Sequence, residues 1–128
     1  MSIPHVEQLA GAFEWYISLL EHIAGTLVEP PPEGINLAAE YRWELPQHTD
    51  YLLGLASGEF ADVLSAELRQ SMEELVAAAE VVPRDTLSMD EPNWQPAKEL
   101  ALALLPAIQA VATPILAKAA SSEGNGAA

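Results

Sequence analysis

The chain has 128 residues, of which 50% are apolar and none is cysteine, and 19 acidic against 5 basic residues give a formal net charge of −14. This length fits one domain with its own core, and the apolar share is too high for a disordered chain. The negative charge repels phosphate, so no nucleic-acid binding is expected, and the lack of cysteine excludes disulfides and thiolate catalysis.

The first predicted element is an amphipathic helix from Pro4 to about Val28. Its apolar residues recur at alternating intervals of three and four, which is the spacing of one buried helical face. Beside them, Glu7, Glu14 and Glu21 repeat every seven residues and form an acidic edge. We interpret this edge as a solvated face, with docking of a basic partner as the alternative. The apolar stripe consists of Val6, Leu9, Phe13, Tyr16, Leu20, Ile23 and Leu27.

A proline-rich spacer and short helices are predicted for the middle of the chain. The run EPPPEG at residues 29–34 favours an extended, polyproline-type connection. A short helix over residues 37–45 is expected to stop before Pro46, because proline disfavours helical geometry in the residue that precedes it. A second short helical piece is expected near residues 49–56.

Two more long helices are predicted, over residues 59–82 and residues 97–119, and a long loop over residues 83–96 joins them. The last helix is uncharged between Glu99 and Lys118, which just reaches the length of a membrane span. Its alanine content and two prolines argue against insertion, so no membrane partner is expected. We predict instead that this helix is the most enclosed one of a bundle.

These elements predict an all-α fold, a compact bundle of three long helices plus one or two short helices, with a Pro-rich spacer and one long loop. We expect a single helical domain over residues 1–120 and a disordered tail over residues 121–128. The N-terminal residues lack the basic region and the long apolar run of a secretory signal, so we expect a cytoplasmic protein.

Patterns that would indicate catalysis or metal binding do not occur in the sequence. There is no Glu-x-x-His of the kind that holds di-iron centres in bundles, and His48 and Asp50 lack a convincing third ligand. There is also no Gly-x-Ser-x-Gly, Ser-x-x-Lys or phosphate-binding glycine motif. We therefore predict no catalytic residue, no metal ligand and no cofactor, and we keep an enzyme as the open alternative.

Six residues in the two connecting regions are the candidate binding residues. Aromatic and arginine side chains are common at binding hot spots, but they also anchor loops to a core, so both interpretations stay open. If the two connections lie at one end of the bundle, their tryptophans would meet there. The candidates are Tyr41, Arg42, Trp43, His48, Asp50 and Trp94.

Three functions are compatible with this sequence, and we favour the first. It is non-enzymatic binding of a basic protein, for example by an immunity- or antitoxin-like inhibitor whose acidity imitates the anionic substrate of a toxin. The second is a small-molecule- or metal-binding bundle, including an enzyme, with a pocket between the last helix and residues 41–50. The third is a self-associating structural module, such as a homodimer joined through the heptad-spaced stripe of the first helix.

Overall fold

The computed structural model describes residues 3–25, 37–83 and 92–127, and helices dominate all three ranges. No strand occurs within them, and the predicted all-α bundle is confirmed. The four α-helices are α1 (Ile3–Ala24), α2 (Leu37–Leu55), α3 (Ala66–Glu80) and α4 (Gln95–Ala127).

The apolar spacing of α1 correctly predicts which face the helix buries. All six stripe residues within the described ranges are at most 1% exposed, including Phe13 and Tyr16. The seventh, Leu27, lies outside the described residues. Full burial of a large apolar side chain contributes about 1.5–3 kcal/mol, so this stripe makes α1 a central element of the core.

The second helix, α2, continues through Pro46, and the predicted helix stop is therefore wrong. A proline inside a helix removes one backbone hydrogen bond and costs about 3 kcal/mol. Here Leu45 and Leu52, two turns apart and both fully buried, tie the two halves of the helix to the same core. Thr49 Oγ1 also donates to the Leu45 carbonyl at 2.7 Å. Packing of one continuous face thus outweighs the local preference, and the two predicted short pieces form one helix.

A short connection after α2 shows where the third helix begins. The predicted start near Glu59 is wrong, because residues 58–60 form a 3₁₀ turn with Gly58 at φ +58°. α3 starts after Ser65, whose Oγ accepts a hydrogen bond from the Leu68 N–H at 3.1 Å. This side-chain cap satisfies a backbone donor that the first turn of the helix cannot pair internally.

Arg69 holds this connection from the α3 side. Its guanidinium donates to the carbonyl oxygens of Ala56, Leu64 and Ala61 at 2.6, 3.1 and 3.3 Å. The fixed fork of donors in arginine suits several carbonyls that lie outside regular helix. One of the few cationic residues of the chain therefore has a structural role.

The helices pack as neighbours around a square. α1 and α3 each pack against α2 and α4, so α2 and α4 lie on a diagonal. Side-chain contacts fix α1 and α2 as antiparallel. His5 Nε2–H donates to the Leu55 carbonyl at 3.1 Å, whereas His22 near the other end of α1 lies beside Tyr41. All four helices contribute to one hydrophobic core.

α4 buries one face and exposes the other, so the prediction that it is the most enclosed helix is wrong. Its inner face carries fully buried residues such as Ala101 and Ile108, whereas Leu102 on the outer face is 49% exposed. A larger share of α1 than of α4 is buried. The low charge of α4 therefore reflects an uncharged outer face and not deeper burial.

By length and composition, the stretch Pro92–Ser121 is the one helical stretch in the described ranges that could span a membrane. A core helix of a bundle passes the same test, because its apolar residues serve packing. α4 is helical through Ala127, and the disorder expected for residues 121–128 stays a prediction. The spacer at residues 29–34 and residues 84–91 of the long loop lie outside the described residues.

Candidate functional site

The five candidate residues on α2 point in different directions. Tyr41 and His48, seven residues apart, are half-buried on the side that meets α1. Trp43 and Asp50, also seven apart, are exposed on another side, and Trp43 is 65% exposed. Arg42 is half-buried and lies between these two sides of the helix. The predicted residues therefore do not form one site.

Two histidine–aromatic pairs lie along the seam between α1 and α2. His48 stacks on Trp15, with ring centroids 5.4 Å apart and ring planes 28° apart. His22 packs against Tyr41 at 5.6 Å, and its Nδ1–H donates to the Ser18 carbonyl at 2.8 Å. The first pair orients the Trp15 ring, while 65% of the surface of this residue remains open to solvent.

An open groove of about 330 Å³ lies beside the Trp15–His48 pair, between α1 and α2. This volume is at the lower end of typical small-ligand sites. Tyr51, on the α2 wall, is 54% exposed, so two large aromatic residues face solvent along the groove. The lining residues are Glu7, Gln8, Gly11, Ala12 and Trp15 from α1, and His48 and Tyr51 from α2.

Gly11 deepens the groove, and nothing else in its surroundings explains a glycine. Its backbone does not adopt the left-handed conformation that favours glycine. A Cβ atom at this position would have no atom within 4 Å. Glycine inside a helix costs about 0.5–1 kcal/mol relative to alanine. The chain therefore carries a glycine here that stabilises the helix less than alanine would. The structural effect of this glycine is to keep the groove open at its position.

The surroundings of the groove are acidic. Glu7 lies in its wall, Glu14 is exposed on the same helix, and Asp50 is exposed next to Tyr51. The segment that forms α1 contains no lysine or arginine. A cation is therefore attracted to this region, and the exposed face of Trp15 offers an additional cation–π contact.

Trp94, the sixth candidate, is a core residue. Its side chain is fully buried at the 3₁₀ turn that precedes α4. Its indole N–H has no hydrogen-bond partner among the residues that the structure describes. Trp43 is exposed, and no ring contact joins the two tryptophans within the described ranges. Burial favours the structural interpretation of Trp94 over contact with a ligand.

Tyr16 is a second buried polar group, on the inner side of the α1–α2 pair. Burial raises the pKa of its hydroxyl well above the usual range, and the nearby Thr49 opposes part of this shift. The hydroxyl nevertheless has no well-aligned hydrogen bond within the described part of the chain. Tyr16 therefore stays protonated near neutral pH and belongs to the core.

The groove contains side chains that can bind a ligand or a partner segment. It combines two aromatic rings, an imidazole, a carboxylate, a carboxamide and a small-residue floor. Among the described residues, no three histidine, aspartate or glutamate side chains are grouped so that they could hold a metal ion. The chemistry available in the groove is stacking, cation binding and hydrogen bonding.

Comparison with known proteins identifies no family for this chain. No family model matches it, and neither a curated protein nor a solved structure is significantly similar. The functional argument therefore depends on the groove and on the distribution of charge.

The sequence alone identifies His48 as a candidate binding residue and Glu7 as part of an acidic edge that could dock a basic partner, but it does not identify the other residues that line the groove. Two signals were available. Trp15 is a large aromatic residue that lies off the apolar stripe of α1, and Gly11 interrupts a helix where no turn is needed. Tyr51 could not be placed, because the expected stop at Pro46 separated it from the helix that positions it.

Proposed function

We propose that this protein is a non-enzymatic, acidic helical protein that binds a basic segment of another protein in the α1–α2 groove. The observation that carries the proposal is the exposure of Trp15 and Tyr51 along a groove that also contains Glu7. Exposed aromatic side chains in a concave site are typical binding anchors. Two large aromatic side chains that stay exposed also lower the solubility of a protein. Their exposure therefore favours a role in binding a partner.

The charge of the chain favours a basic partner. With a net charge of −14, the protein attracts cationic surfaces and speeds their encounter. One concrete form of this function is an immunity- or antitoxin-like inhibitor in the cytoplasm, in which the acidic surface occupies the site of an anionic substrate. This form is an analogy with those classes of inhibitor.

The proposal can be tested with a defined basic peptide. The probe is an acetylated and amidated Gly/Ser peptide that carries several arginines, and its control replaces each arginine with uncharged citrulline. Binding is measured by calorimetry and by stopped-flow fluorescence at about 0.02 M and about 0.15 M salt. We expect the arginine peptide to bind more tightly than the citrulline peptide, and its association to slow as salt rises.

Trp15→Ala separates groove binding from unspecific attraction, because this variant keeps the same net charge. At about 0.15 M salt, where a Debye length of about 8 Å screens distant charges, we expect it to bind the arginine peptide at least about tenfold more weakly than the unmodified protein. Equal binding by the two proteins would contradict a role of the groove.

A small-molecule-binding function is the second candidate, because a groove of about 330 Å³ is large enough for a small ligand. Its location differs from the expected one. α2 and α4 are diagonal in the bundle, so the wall opposite His48 is α1 and not the last helix. A thermal-shift screen of small planar cations tests this function, and a large shift with one compound, lost in Trp15→Ala, would favour it over peptide binding.

Self-association is the third candidate, and the structure changes where it would occur. The heptad-spaced stripe of α1 is buried in the core, so it is not available as a dimer seam. A homodimer would have to use an exposed surface such as the outer face of α4. Light scattering over a dilution series tests this function, and a monomer at every concentration would exclude it.

A further inference from the structure

The groove has two chemically different ends. On α1, Glu7, Gly11 and Trp15 follow at intervals of four residues, so they lie on one side of the helix. Eight residues of helix place Glu7 and Trp15 about 12 Å apart along the axis. The antiparallel α2 places His48 against Trp15, and Tyr51 one turn further towards the Glu7 end.

The Glu7 end is suited to a cation. It offers the carboxylate of Glu7 and the amide of Gln8, and the ring of Tyr51 lies one helical turn away, opposite Gly11, by its position between the His48 and Leu55 contacts. A carboxylate and an exposed aromatic ring that line one groove favour a planar guanidinium, which pairs with the first and stacks on the second.

The Trp15 end is suited to an apolar side chain. Its walls are the exposed indole of Trp15 and the imidazole stacked on it, and its floor is Ala12. None of these three residues carries a carboxylate. The gap over Gly11 connects this end with the cation end, since no atom would lie within 4 Å of a Cβ at that position.

We propose that the groove recognises two residues of its basic partner at once, an arginine at the Glu7–Tyr51 end and a large apolar residue at the Trp15–Ala12 end. This inference rests on the proposed function and adds the motif that the groove selects. The volume of about 330 Å³ holds side chains and a short segment, but not a helix of about 10–12 Å diameter. We assign an extended conformation to the partner segment. A helix lying over the groove would have to place the two residues about eight apart to span about 12 Å.

The length of the groove sets the spacing of the motif. An extended chain rises about 3.3 Å per residue, so about 12 Å corresponds to three or four residues. Side chains alternate between the two faces of an extended chain, so only an even separation points both residues into the groove. The segment then reads Arg-x-x-x-Leu, in either chain direction. Adjacent residues cannot reach both ends at once, and a separation of seven residues would require the chain to leave the groove.

A set of double-mutant cycles tests this assignment. The probe is an acetylated and amidated Gly/Ser peptide with one arginine and one leucine four residues apart. Two peptide variants replace the arginine with citrulline or the leucine with alanine, and two protein variants are Glu7→Gln and Trp15→Ala. Dissociation constants for all nine combinations, measured by NMR titration, give the coupling of each protein residue to each peptide residue.

We expect Glu7 to couple to the arginine by about threefold to fivefold, the range of an exposed ion pair, and Trp15 to couple to the leucine by about tenfold. In this peptide the leucine occupies the Trp15 end, so the crossed pairs are expected to show no coupling. In the multi-arginine peptide, which lacks an apolar residue, an arginine stacks on the Trp15 indole instead. Glu73→Gln removes another exposed carboxylate, on α3, and is expected to leave the arginine dependence unchanged. A peptide with the two residues adjacent is expected to lose about tenfold in affinity.

The possible results separate the two proposals. If the arginine–leucine peptide binds but the crossed couplings equal the direct ones, or Glu73→Gln acts like Glu7→Gln, the two-ended groove is wrong and general binding of basic segments stands. If spacing has no effect, the proposed motif is wrong. If neither this peptide nor the multi-arginine peptide binds, the proposed function fails as well.

Discussion

Among the described residues, two of the surfaces that expose apolar side chains, the α1–α2 groove and the outer face of α4, differ in most other properties. Beside Trp15, which is 65% exposed, the surface is concave and carries a second aromatic residue and a carboxylate. Around Leu102, which is 49% exposed, the outer face of α4 carries mostly alanine, proline and other small side chains. Exposure alone therefore does not indicate a site, whereas shape, aromatic content and nearby charge together do.

The two surfaces also differ in charge. Residues 97–128 contain two lysines and two glutamates and are neutral, so residues 1–96 hold the entire net charge of −14. A basic partner, as proposed, would be attracted to the part of the chain that precedes α4 more than to α4 itself. The outer face of α4 is instead where two copies of the chain would repel each other least. Each of the following predictions tests one side of this contrast.

The largest expected effect is a difference in the free energy of unfolding between substitutions on the inner and outer faces of α4. Ile108→Ala on the inner face should lower the free energy of unfolding by about 2–5 kcal/mol, because it leaves a cavity in a packed core. Leu102→Ala on the outer face should cost less than about 1 kcal/mol. Urea unfolding of both variants measures the difference. A loss at Leu102 as large as that at Ile108 would indicate that another surface covers the outer face.

The second effect compares two equally exposed tryptophans. Trp15 and Trp43 are each 65% exposed, but only Trp15 lines the groove. We expect Trp15→Ala to weaken binding of the multi-arginine peptide at least about tenfold, and Trp43→Ala to weaken it less than about twofold. Calorimetry checks both. Equal losses would show that the exposed side of α2 takes part in binding and that the groove is too narrow a description.

The third effect concerns Tyr16, on the inner side of the helix pair that forms the groove. Its pKa is raised in the folded protein above the unfolded value of about 10. Above about pH 10 the unfolded chain therefore loses this proton while the folded protein keeps it, so stability falls by up to about 1.4 kcal/mol per pH unit. Below that pH the group contributes no pH dependence.

Replacing Tyr16 with phenylalanine tests this linkage. The free energies of unfolding of the unmodified protein and of Tyr16→Phe are compared at about pH 9 and about pH 11. We expect the variant to lose less stability over this interval, and to bind the peptide normally at neutral pH. An equal loss in both proteins would show that Tyr16 is not the group that titrates.

The smallest expected effect is that of replacing either of two helical glycines with alanine. A Cβ has no neighbour within 4 Å at either Gly11 or Gly54, so Gly→Ala at each position should raise the free energy of unfolding by about 0.5–1 kcal/mol. Only Gly11 lines the groove. We expect Gly11→Ala to weaken peptide binding and Gly54→Ala to leave it unchanged. Equal binding by both variants would remove the functional explanation of Gly11.

The sequence predicts the helical class and the inner face of α1, because a long apolar periodicity is a local signal. It does not predict that α2 passes through Pro46, since that depends on Leu45 and Leu52 packing against the same core. The degree to which α4 is enclosed is not predictable from the sequence for a similar reason. An uncharged helix can be enclosed or can have a neutral outer face, and only the packing of the other helices distinguishes these cases.

The groove was only partly predictable for a geometric reason. His48 stands out in the sequence as one of three histidines, but its importance comes from contact with Trp15, thirty-three residues earlier in the chain. Contact between residues on two antiparallel helices depends on the register of the helices. The sequence of the connecting residues 26–36 does not reveal that register. Exposed aromatics off an apolar stripe are nevertheless a readable signal, and Trp15 is an example.

The central claim is that basic segments bind in the α1–α2 groove and not on the acidic surface in general. The most direct measurement is an NMR titration of the ¹⁵N-labelled protein with the multi-arginine peptide at about 0.15 M salt. We predict saturable shift changes concentrated at the amides of Glu7, Gly11 and Ala12 on α1 and His48 and Tyr51 on α2. Changes spread evenly over the acidic residues of α1, α2 and α3, or concentrated on the outer face of α4, would contradict the claim.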